Sequence, residues 1–494
     1  MAYCDDAAPS STHSNMVIDP AVLICAVPHH RPCHFWAKNS LFRNKHFARV
    51  LASCGVIPVD RSGKGNAALF ELTFDTLQQG GVIGSFPEGT SYTLPHMLDL
   101  KDGTAWAALG YAAALEASPE FQQLANDPLA QNDLRLQIVP TGITYVDKAR
   151  WRNDCLVMFG APIDVHKYVP DFVQQTDQKA VVKQLTRDMT QAFRAVTINA
   201  PTWPLFHVGN LGRTLLFSDP VRNTLDYAHW VPATQCLIDF FAHYGDVDPS
   251  VQKLQSRMLA YHSELNELRL TDRDLVAYAQ QRRIAEALPP TASLWTALVP
   301  AMGLPLAIKV LGLVLEIPLS LPALLTHLPM YVLGKAGEWW EPNEESKAQT
   351  KIIATLLFAL PMYSAMLGFM WLYVCDGTLT GLALSFAALV LFASYHLAYV
   401  DQRYATWKAI VANVRAIRIV VACHQTGAST PQATPNPLDK LVVLRADIQQ
   451  TLITLVDDYA ALTSSSSLQL PSLDYVQQLL LASPASGTNS PQEI

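Results

Sequence analysis

The sequence predicts an α/β domain with a largely parallel sheet, followed by a helical region and a C-terminal transmembrane helical hairpin. Short β-type runs alternate with helix-like stretches in the first 165 residues, and apolar residues concentrate between residues 293 and 400. Half of the 494 residues are hydrophobic and only 16% are charged, against roughly 25% charged residues in ordinary globular proteins. The apolar excess therefore indicates a membrane part attached to a soluble part.

The first part of the chain alternates between two kinds of pattern. The predicted strands are residues 22–27, 56–59, 81–86, 136–144 and 155–159, and the clearest predicted helices are residues 66–78 and 104–117. Strands that alternate with helices favour a parallel sheet. We therefore expect functional residues at strand ends and in the loops that follow them.

The membrane part is predicted from two charge-free runs, residues 352–374 and 379–400. About 20 apolar residues span a bilayer as a helix, and the short Asp-Gly-Thr segment between the runs predicts a tight hairpin. Lys347 and Arg403 are among the basic residues that flank its two ends. The positive-inside rule then places both ends in the cytosol.

A further apolar stretch, residues 294–333, is interrupted by prolines at 300, 305, 318, 322 and 329. Prolines break helices, so this stretch predicts broken or re-entrant helices, with a pair of spanning helices as the alternative. Residues 403–422 form a basic helical segment, which fits either an anionic membrane surface or a solvated helix face.

Charge and cysteine content narrow the function classes. The formal net charge of -7 argues against a partner bound mainly through nucleic-acid phosphates. The eight cysteines show no CxxC pair and no metal-ligand spacing, which favours a reducing, cytosol-facing environment and no metal. Residues 1–6 lack the basic and apolar regions of a signal peptide.

Residues 86–91, Phe-Pro-Glu-Gly-Thr-Ser, are the most informative segment and follow the apolar run 81–85. Glu88 would accept hydrogen bonds from substrate hydroxyls, and Gly89 permits close backbone approach. A buried structural carboxylate is the competing interpretation of Glu88. A serine hydrolase that uses Ser91 is a poor alternative, because residues 89–93 lack the second glycine of a nucleophile elbow.

Two upstream blocks carry groups suited to general-base catalysis and to phosphate binding. His13 can act as the base and Asp19 can orient it, if the intervening turn folds back. Arg61 follows the glycine-led segment 55–59 and offers a fork that matches phosphate oxygens, or else forms a surface ion pair. Lys64 would assist as a point charge.

A cluster of three histidines is a rival source of the base, although no carboxylate lies near it in the sequence. Its members are His29, His30 and His34.

The three blocks 13–20, 55–61 and 86–91, in this order, resemble the membrane glycerolipid acyltransferases. Lys101 and Gly103 match the Lys-x-Gly element of that family, and residues 138–143 match its fourth block, which carries a Val-Pro pair. The likeness is closest to the fungal-type glycerol-3-phosphate/dihydroxyacetone-phosphate acyltransferases, which also have a basic Trp-Lys element after C-terminal apolar segments, as at residues 405–408 here.

This resemblance implies an acyl-CoA donor, a phosphorylated acceptor such as glycerol 3-phosphate or dihydroxyacetone phosphate, and no bound cofactor. The implied location is the endoplasmic reticulum membrane, multi-pass, with the catalytic domain facing the cytosol. The product would enter phospholipid and triacylglycerol synthesis. The implied catalytic residues are His13 and Asp19, and the implied substrate-binding residues are Arg61, Glu88, Gly89, Lys101 and Pro140.

Two alternatives stay open at this point. The first is a 1-acylglycerol-3-phosphate acyltransferase, which catalyses the second acylation. The second is a catalytically inactive relative that binds lipid or scaffolds a membrane complex, which the short segment of twelve residues before His13 favours.

The patterns together predict six regions along the chain. They are an acyltransferase domain (1–165), a helical extension (166–292), a proline-broken membrane-associated or re-entrant segment (293–340), a transmembrane hairpin (348–402), cytosolic helices (403–465) and a disordered tail (466–494).

Overall fold

The chain forms two compact units. The computed structural model describes residues 7–11, 18–59, 66–123, 135–145, 155–174, 177–217, 225–286, 304–342, 344–427, 436–463 and 473–482. The first unit comprises Met1–Phe206, Leu225–Ile238 and Glu341–Thr350, and the second comprises His207–Thr224, Asp239–Trp340 and Lys351–Ile494.

The first unit contains the described strands and several helices. The strands are β1 (Ala7–Ser11), β2 (Cys33–Lys38), β3 (Ile57–Val59), β4 (Val82–Gly84), β5 (Gln137–Tyr145), β6 (Cys155–Phe159) and β7 (Ile163–Asp164). The helices are α1 (Ile18–Ala26), α2 (Lys45–Ser53), α3 (Asn66–Gln78), α4 (Gly103–Glu116), α5 (Pro119–Gln123), α6 (Val169–Gln174) and α7 (Gln178–Val196), with 3₁₀ turns at Pro28–His30, Asn39–Arg43 and Val165–Tyr168.

The described strands form two small sheets. Strand β1 is parallel to β5, with Ser11 opposite Thr141, while β5 pairs antiparallel with β6 and β7. In the neighbouring sheet β2 is parallel to both β3 and β4, and β4 contacts β1. The parallel pairs agree with the predicted fold class, but the sheets are small and the structure is mostly helical.

Residues 22–27 were predicted as a strand, and this prediction is wrong because they lie largely within helix α1. Short apolar runs fit a buried helix turn as well as a strand. Here Leu23 and Val27 are four residues apart and both are buried. They pack in one apolar cluster with Phe35 and Val82 of the sheet, so the helical spacing satisfies the core.

Helix α7 packs its apolar face on the main core. It begins after Asp177, whose carboxylate accepts a 3.1 Å hydrogen bond from the backbone N–H of Lys179, as in many N-caps. The buried residues recur at helical spacing: Val181, Val182, Leu185, Met189, Phe193 and Val196. All of them except Val196 share a cluster with Leu109 of α4 and Ile138 of β5, so α7 holds the central strand in place.

Gly142 of β5 lies against the end of α7, where a methyl group would come within 2.0 Å of the backbone oxygen of Val196. We expect Gly142→Ala to lower the free energy of unfolding by about 2–3 kcal/mol, because helix backbone yields less readily than a side chain. Denaturant unfolding of the purified protein measures the loss.

Gly103→Ala is the matched control, because a methyl group at Gly103 meets no atom within 4 Å. This control should unfold as the parent does. An equal loss of stability in both variants would contradict the importance of the close contact between β5 and α7.

The remaining helices continue into the second unit. They are α8 (Trp203–Leu216), α9 (Tyr227–Tyr244), α10 (Pro249–Glu267), α11 (Asp272–Glu286), α12 (Leu304–Trp340), α13 (Glu344–Phe369), α14 (Leu379–Gly427), α15 (Pro437–Thr463) and α16 (Asp474–Ala482). A π-helical turn, Met370–Val374, extends α13.

Helix α16 lies within the predicted disordered tail, so that prediction is wrong for residues 474–482. Leu473 and Val476 are fully buried, and the Gln477 side chain donates a 3.1 Å hydrogen bond to Asp457 of α15. Apolar residues at helical spacing thus compensate for the serine-rich and proline-rich flanks. The other residues of that tail, 466–472 and 483–494, lie outside the described ranges.

Two helical segments are long and apolar enough to cross a bilayer, Ser346–Val374 and Leu379–Ile419. Within α12 the segments Leu306–Glu316 and Ser320–Gly337 make an angle of 89°. Pro318 lies between them and removes a helical hydrogen bond. The predicted boundary between residues 402 and 403 falls inside the single helix α14, and the predicted tight hairpin of α13 with α14 stays a prediction.

Polar side chains connect the apolar helices of the second unit. The Nδ1–H of His327 donates to the backbone oxygen of Ala323 at 2.6 Å, so Nε2 accepts from the hydroxyl of Tyr363, also at 2.6 Å. The His327 ring stacks on that of His396 at 3.7 Å between centroids, and His396 Nε2 lies 2.8 Å from the hydroxyl of Tyr331. These contacts join α12 to both α13 and α14.

We expect Tyr363→Phe to lower the unfolding free energy in detergent by about 1 kcal/mol, because the hydrogen bond to His327 is lost between apolar helices. Thermal unfolding in micelles measures this. Tyr373→Phe is the control, because Tyr373 is 76% exposed. Equal stability of Tyr363→Phe and Tyr373→Phe would show that the network does not hold the helices together.

Candidate functional site

Asp19 is a fully buried carboxylate at the edge of the first sheet. It lies in α1, the first described element after β1, and its Oδ1 accepts a 2.6 Å hydrogen bond from the hydroxyl of Tyr145. Tyr145 is the last residue of β5. Because β1 and β5 are parallel, their carboxyl ends meet at the same edge, and this brings together residues 126 positions apart in the chain.

Glu88 is the second buried carboxylate, with 2% of its surface exposed. It follows β4 in a turn closed by a 2.9 Å bond from the Gly89 N–H to the Phe86 oxygen. Its Oε2 accepts the backbone N–H of Leu98 at 2.8 Å, and the hydroxyl of Tyr92 hydrogen-bonds to it as well. Glu88 therefore organises the segment that follows it, whatever else it binds.

The electrostatics of two tyrosines connect these carboxylates. Burial raises the pKa of Tyr92, and the charges of Glu88 and, more weakly, Asp19 raise it further. Burial also raises the pKa of Tyr145, with Asp19 as the next cause. Both hydroxyls therefore keep their protons and donate hydrogen bonds. The electrostatic effects of the two acids thus meet at Tyr92, which hydrogen-bonds to Glu88.

Gly89 and Lys101 lie side by side. Gly89 adopts a positive φ of 71°, which glycine tolerates best, and a methyl group there would come within 2.6 Å of Nζ of Lys101. The backbone N–H of Lys101 donates to the Pro87 oxygen at 2.8 Å. The exposed Lys101 ammonium group is thereby held beside the turn that carries Glu88.

Pro140 is buried within β5 rather than in a loop. It pairs with Ser10 of β1, and its oxygen accepts the Gly160 N–H at 2.7 Å. Gly160 lies between β6 and β7, where the partner strand is interrupted, and proline is tolerated at such positions. This placement gives Pro140 a role in the sheet, and its predicted role in acyl placement stays a prediction.

Three predicted site residues, His13, Arg61 and Lys64, lie outside the described ranges. Of the rival histidines, His29 precedes β2, whereas Glu88 follows β4. Because β2 and β4 are parallel, His29 and Glu88 lie at opposite edges of that sheet. His34 is held by a 3.1 Å contact from Nδ1 to the backbone oxygen of Gly55, which is a structural role.

No group of three or more His, Cys, Asp or Glu side chains in the described ranges is arranged to hold a metal ion.

Part of this chain is similar to known acyltransferases. Residues 10–118 match the family model described as Acyltransferase. The chain is 28% identical over 211 residues to glycerol-3-phosphate O-acyltransferase 2 of Saccharomyces cerevisiae, which is 43% of this chain and 26% of that protein. It is 23% identical over 270 residues to glycerol-3-phosphate O-acyltransferase 1 of the same yeast, which is 54% of this chain and 31% of that protein.

The chain thus contains a stretch that matches the acyltransferase family, and it is similar to glycerolipid acyltransferases. An uncharacterized acyltransferase of Schizosaccharomyces pombe is also similar, at 26% identity over 42% of this chain and 28% of that protein. The chain spans only about a quarter to a third of the length of these curated relatives. The matched acyltransferase stretch includes most of the predicted site residues, among them Asp19 and Glu88, whereas Pro140 lies beyond it.

Tyr92 and Tyr145, the hydrogen-bond partners of the two buried carboxylates, were not predicted from the sequence. Tyr145 immediately follows the predicted strand 136–144. A polar aromatic residue at the end of a strand could have been recognised from the sequence as a candidate site residue. Tyr92 follows Glu88 by four residues in a loop. Its contact with the carboxylate depends on how that loop folds, which no local pattern reveals.

Glu88→Ala should lower the free energy of unfolding by about 2–3 kcal/mol, because it leaves the Leu98 N–H and the Tyr92 hydroxyl without their charged acceptor. Glu88→Gln, which keeps one acceptor oxygen, should lose less. Denaturant unfolding of each purified variant measures the difference.

The control is Glu120→Ala, which removes an exposed carboxylate from α5. If both alanine variants unfolded like the parent, the structural interpretation of Glu88 would be wrong, and any loss of activity in Glu88→Ala would come from substrate binding alone.

Proposed function

We propose that this chain transfers a fatty acyl group from acyl-CoA to a hydroxyl of glycerol 3-phosphate or dihydroxyacetone phosphate. The observation that carries the proposal is the presence of two buried carboxylates, Asp19 and Glu88, within the stretch that matches the acyltransferase family. The named activity of the two yeast relatives supports the same reaction class. The proposed base is His13, and Asp19 orients it.

The chain on either side of His13 supports this assignment. Ser11 pairs with Thr141 of β5, and Asp19 bonds to Tyr145 of the same strand. Both flanks of residues 12–17 therefore contact one strand, four residues apart.

The proposed chemistry needs no group beyond the chain and its two substrates. The imidazole of His13 accepts the proton of the acceptor hydroxyl as its oxygen attacks the thioester carbonyl. The carbon–sulfur bond of the tetrahedral intermediate then breaks, and the imidazolium returns the proton to the CoA thiolate. Asp19 holds the ring tautomer and favours the imidazolium.

The acceptor phosphate needs cationic partners near the second carboxylate. Arg61 follows β3 by two residues, and Glu88 follows β4. Strands β3 and β4 are both parallel to β2, so their carboxyl ends lie at the same edge. We assign Arg61 and Lys101 to the phosphate, and the Glu88–Gly89 turn to the acceptor hydroxyls.

The apolar helices of the second unit fit a membrane location. The proposed reaction fits it as well, because its acyl product partitions into lipid. The proposed site of action is the endoplasmic reticulum membrane, with the catalytic domain on the cytosolic side. Within the two candidate spans, Lys351 and Arg403 flank the charge-free runs 352–374 and 379–400, and the positive-inside rule then puts both outer ends of these runs in the cytosol.

His13→Ala should reduce lysophosphatidate formation by at least about a hundredfold, since general-base catalysis contributes that much. Membranes that contain the expressed chain are incubated with acyl-CoA and labelled glycerol 3-phosphate. His29→Asn is the matched control, because it removes the rival base while asparagine tolerates the positive φ of 59° at that position. Equal rates for His13→Ala and the parent would rule out the proposed base.

The acceptor is tested in the same membranes by competition among glycerol 3-phosphate, dihydroxyacetone phosphate and lysophosphatidate. Preference for lysophosphatidate would replace the proposal with the second acylation step. Absence of product with all three acceptors, together with measurable acyl-CoA binding, would favour an inactive lipid-binding relative.

A further inference from the structure

We infer that Tyr145 is a positioning residue for acyl transfer, which fixes the orientation of Asp19 through a hydrogen bond and thereby sets the alignment of the base. This inference rests on the proposed function and extends it to a residue outside the matched acyltransferase stretch of residues 10–118.

The geometry of the contact allows Tyr145 to orient the carboxylate of Asp19. The hydroxyl of Tyr145 donates to Oδ1 of Asp19 at 2.6 Å, a short distance typical of a hydrogen bond to a charged acceptor. Asp19 is fully buried, so water does not compete for this oxygen. A hydrogen bond to one carboxylate oxygen from a strand residue restrains the rotation of the carboxylate about its Cβ–Cγ bond.

Strand β5 and the packing around it hold Tyr145 in place. Its backbone pairs with Cys155 of β6 in an antiparallel register, and its side chain packs against the apolar cluster that contains Leu23 and Val27. Both the tyrosine and α1 are therefore anchored in one core. The position of the hydroxyl is set by packing and not by the substrate.

The groups that titrate near this contact are few among the described residues. Besides Asp19, the charged or titratable groups that act on Tyr145 include Cys155 of β6. Asp19 in turn acts on Tyr92, which bonds to Glu88. The pH profile of a variant that lacks the Tyr145 hydroxyl must therefore be compared with that of the parent while these other residues are left unsubstituted.

The first unit offers a matched control for the loss of a tyrosine–aspartate hydrogen bond. The hydroxyl of Tyr168 donates to Oδ2 of Asp188 at 2.6 Å, the same distance as in the contact of Tyr145 with Asp19. Tyr168 and Asp188 do not belong to the proposed site. Tyr168→Phe thus removes an equivalent bond without touching the base or its partner.

Tyr145→Phe should reduce kcat about tenfold, with the KM for both substrates unchanged, because the hydroxyl touches neither substrate. The acidic limb of the kcat–pH profile should move to higher pH by about half a unit or more. Without the donated proton, the carboxylate keeps more negative charge for the imidazolium, and the base is protonated up to a higher pH. Tyr168→Phe should leave both quantities unchanged.

The experiment uses the full chain in membranes, with kcat, both KM values and the pH profile measured for the parent, Tyr145→Phe, Tyr168→Phe, Asp19→Asn and the double variant Asp19→Asn/Tyr145→Phe. If Tyr145 acts only through Asp19, Tyr145→Phe has no further effect in the Asp19→Asn background. Unfolding temperatures in detergent show whether the two phenylalanine variants are equally folded.

The outcomes separate the two proposals. An active parent whose Tyr145→Phe variant keeps its kcat and pH profile, or loses activity only as much as Tyr168→Phe, overturns the role of Tyr145 and leaves the proposed function intact. An additive loss in the double variant also overturns it. A parent that forms no product with any acceptor overturns the proposed function, and the role of Tyr145 falls with it.

Discussion

The candidate site depends on a carboxylate that is completely buried. Asp19 carries this carboxylate, and a buried carboxylate is tolerated only where hydrogen bonds replace its water. The hydroxyl of Tyr145 supplies one of them. The parallel pairing of β1 with β5, the packing of α1 on the sheet and the end point of β5 all contribute to this one contact.

Glu88, which follows β4, is a second buried carboxylate whose hydrogen bonds replace its water. Its carboxylate is buried, and it is satisfied by the backbone of Leu98 and the hydroxyl of Tyr92. Both acids are thus fixed before any substrate arrives, and the segment between Glu88 and Lys101 is folded around one of them. Preorganised polar groups of this kind need no rearrangement during the reaction.

The sequence predicted those parts of the structure that depend on local patterns. Helix α3 has the predicted bounds 66–78, strands β5 and β6 were predicted almost to the residue, and the order of the motif blocks indicated the family. Residues 22–27 were assigned wrongly, because an apolar run of six residues fits either a strand or a buried helix turn. Only the packing of Leu23 against the sheet decides between them.

The contact of Tyr145 with Asp19 was beyond sequence analysis for a different reason. The two residues are 126 positions apart, and they meet because β1 inserts beside β5 instead of pairing with the next strand in the chain. Strand order in a sheet depends on the packing of the whole domain. Composition predicted the apolar helices, but not the bonds between His327, Tyr363 and their neighbours that connect them.

Helix α14 has a mechanical consequence that follows from its length. Its 49 residues, at a rise of 1.5 Å each, make a rod about 74 Å long, more than twice the roughly 30 Å of a hydrocarbon core. The half of the helix beyond the charge-free run is packed within the second unit: Ile410 and Ala416 are buried, and Arg415 donates a 2.7 Å hydrogen bond to the backbone oxygen of Arg269. A tilt of the apolar half is therefore resisted by the packing of the other half.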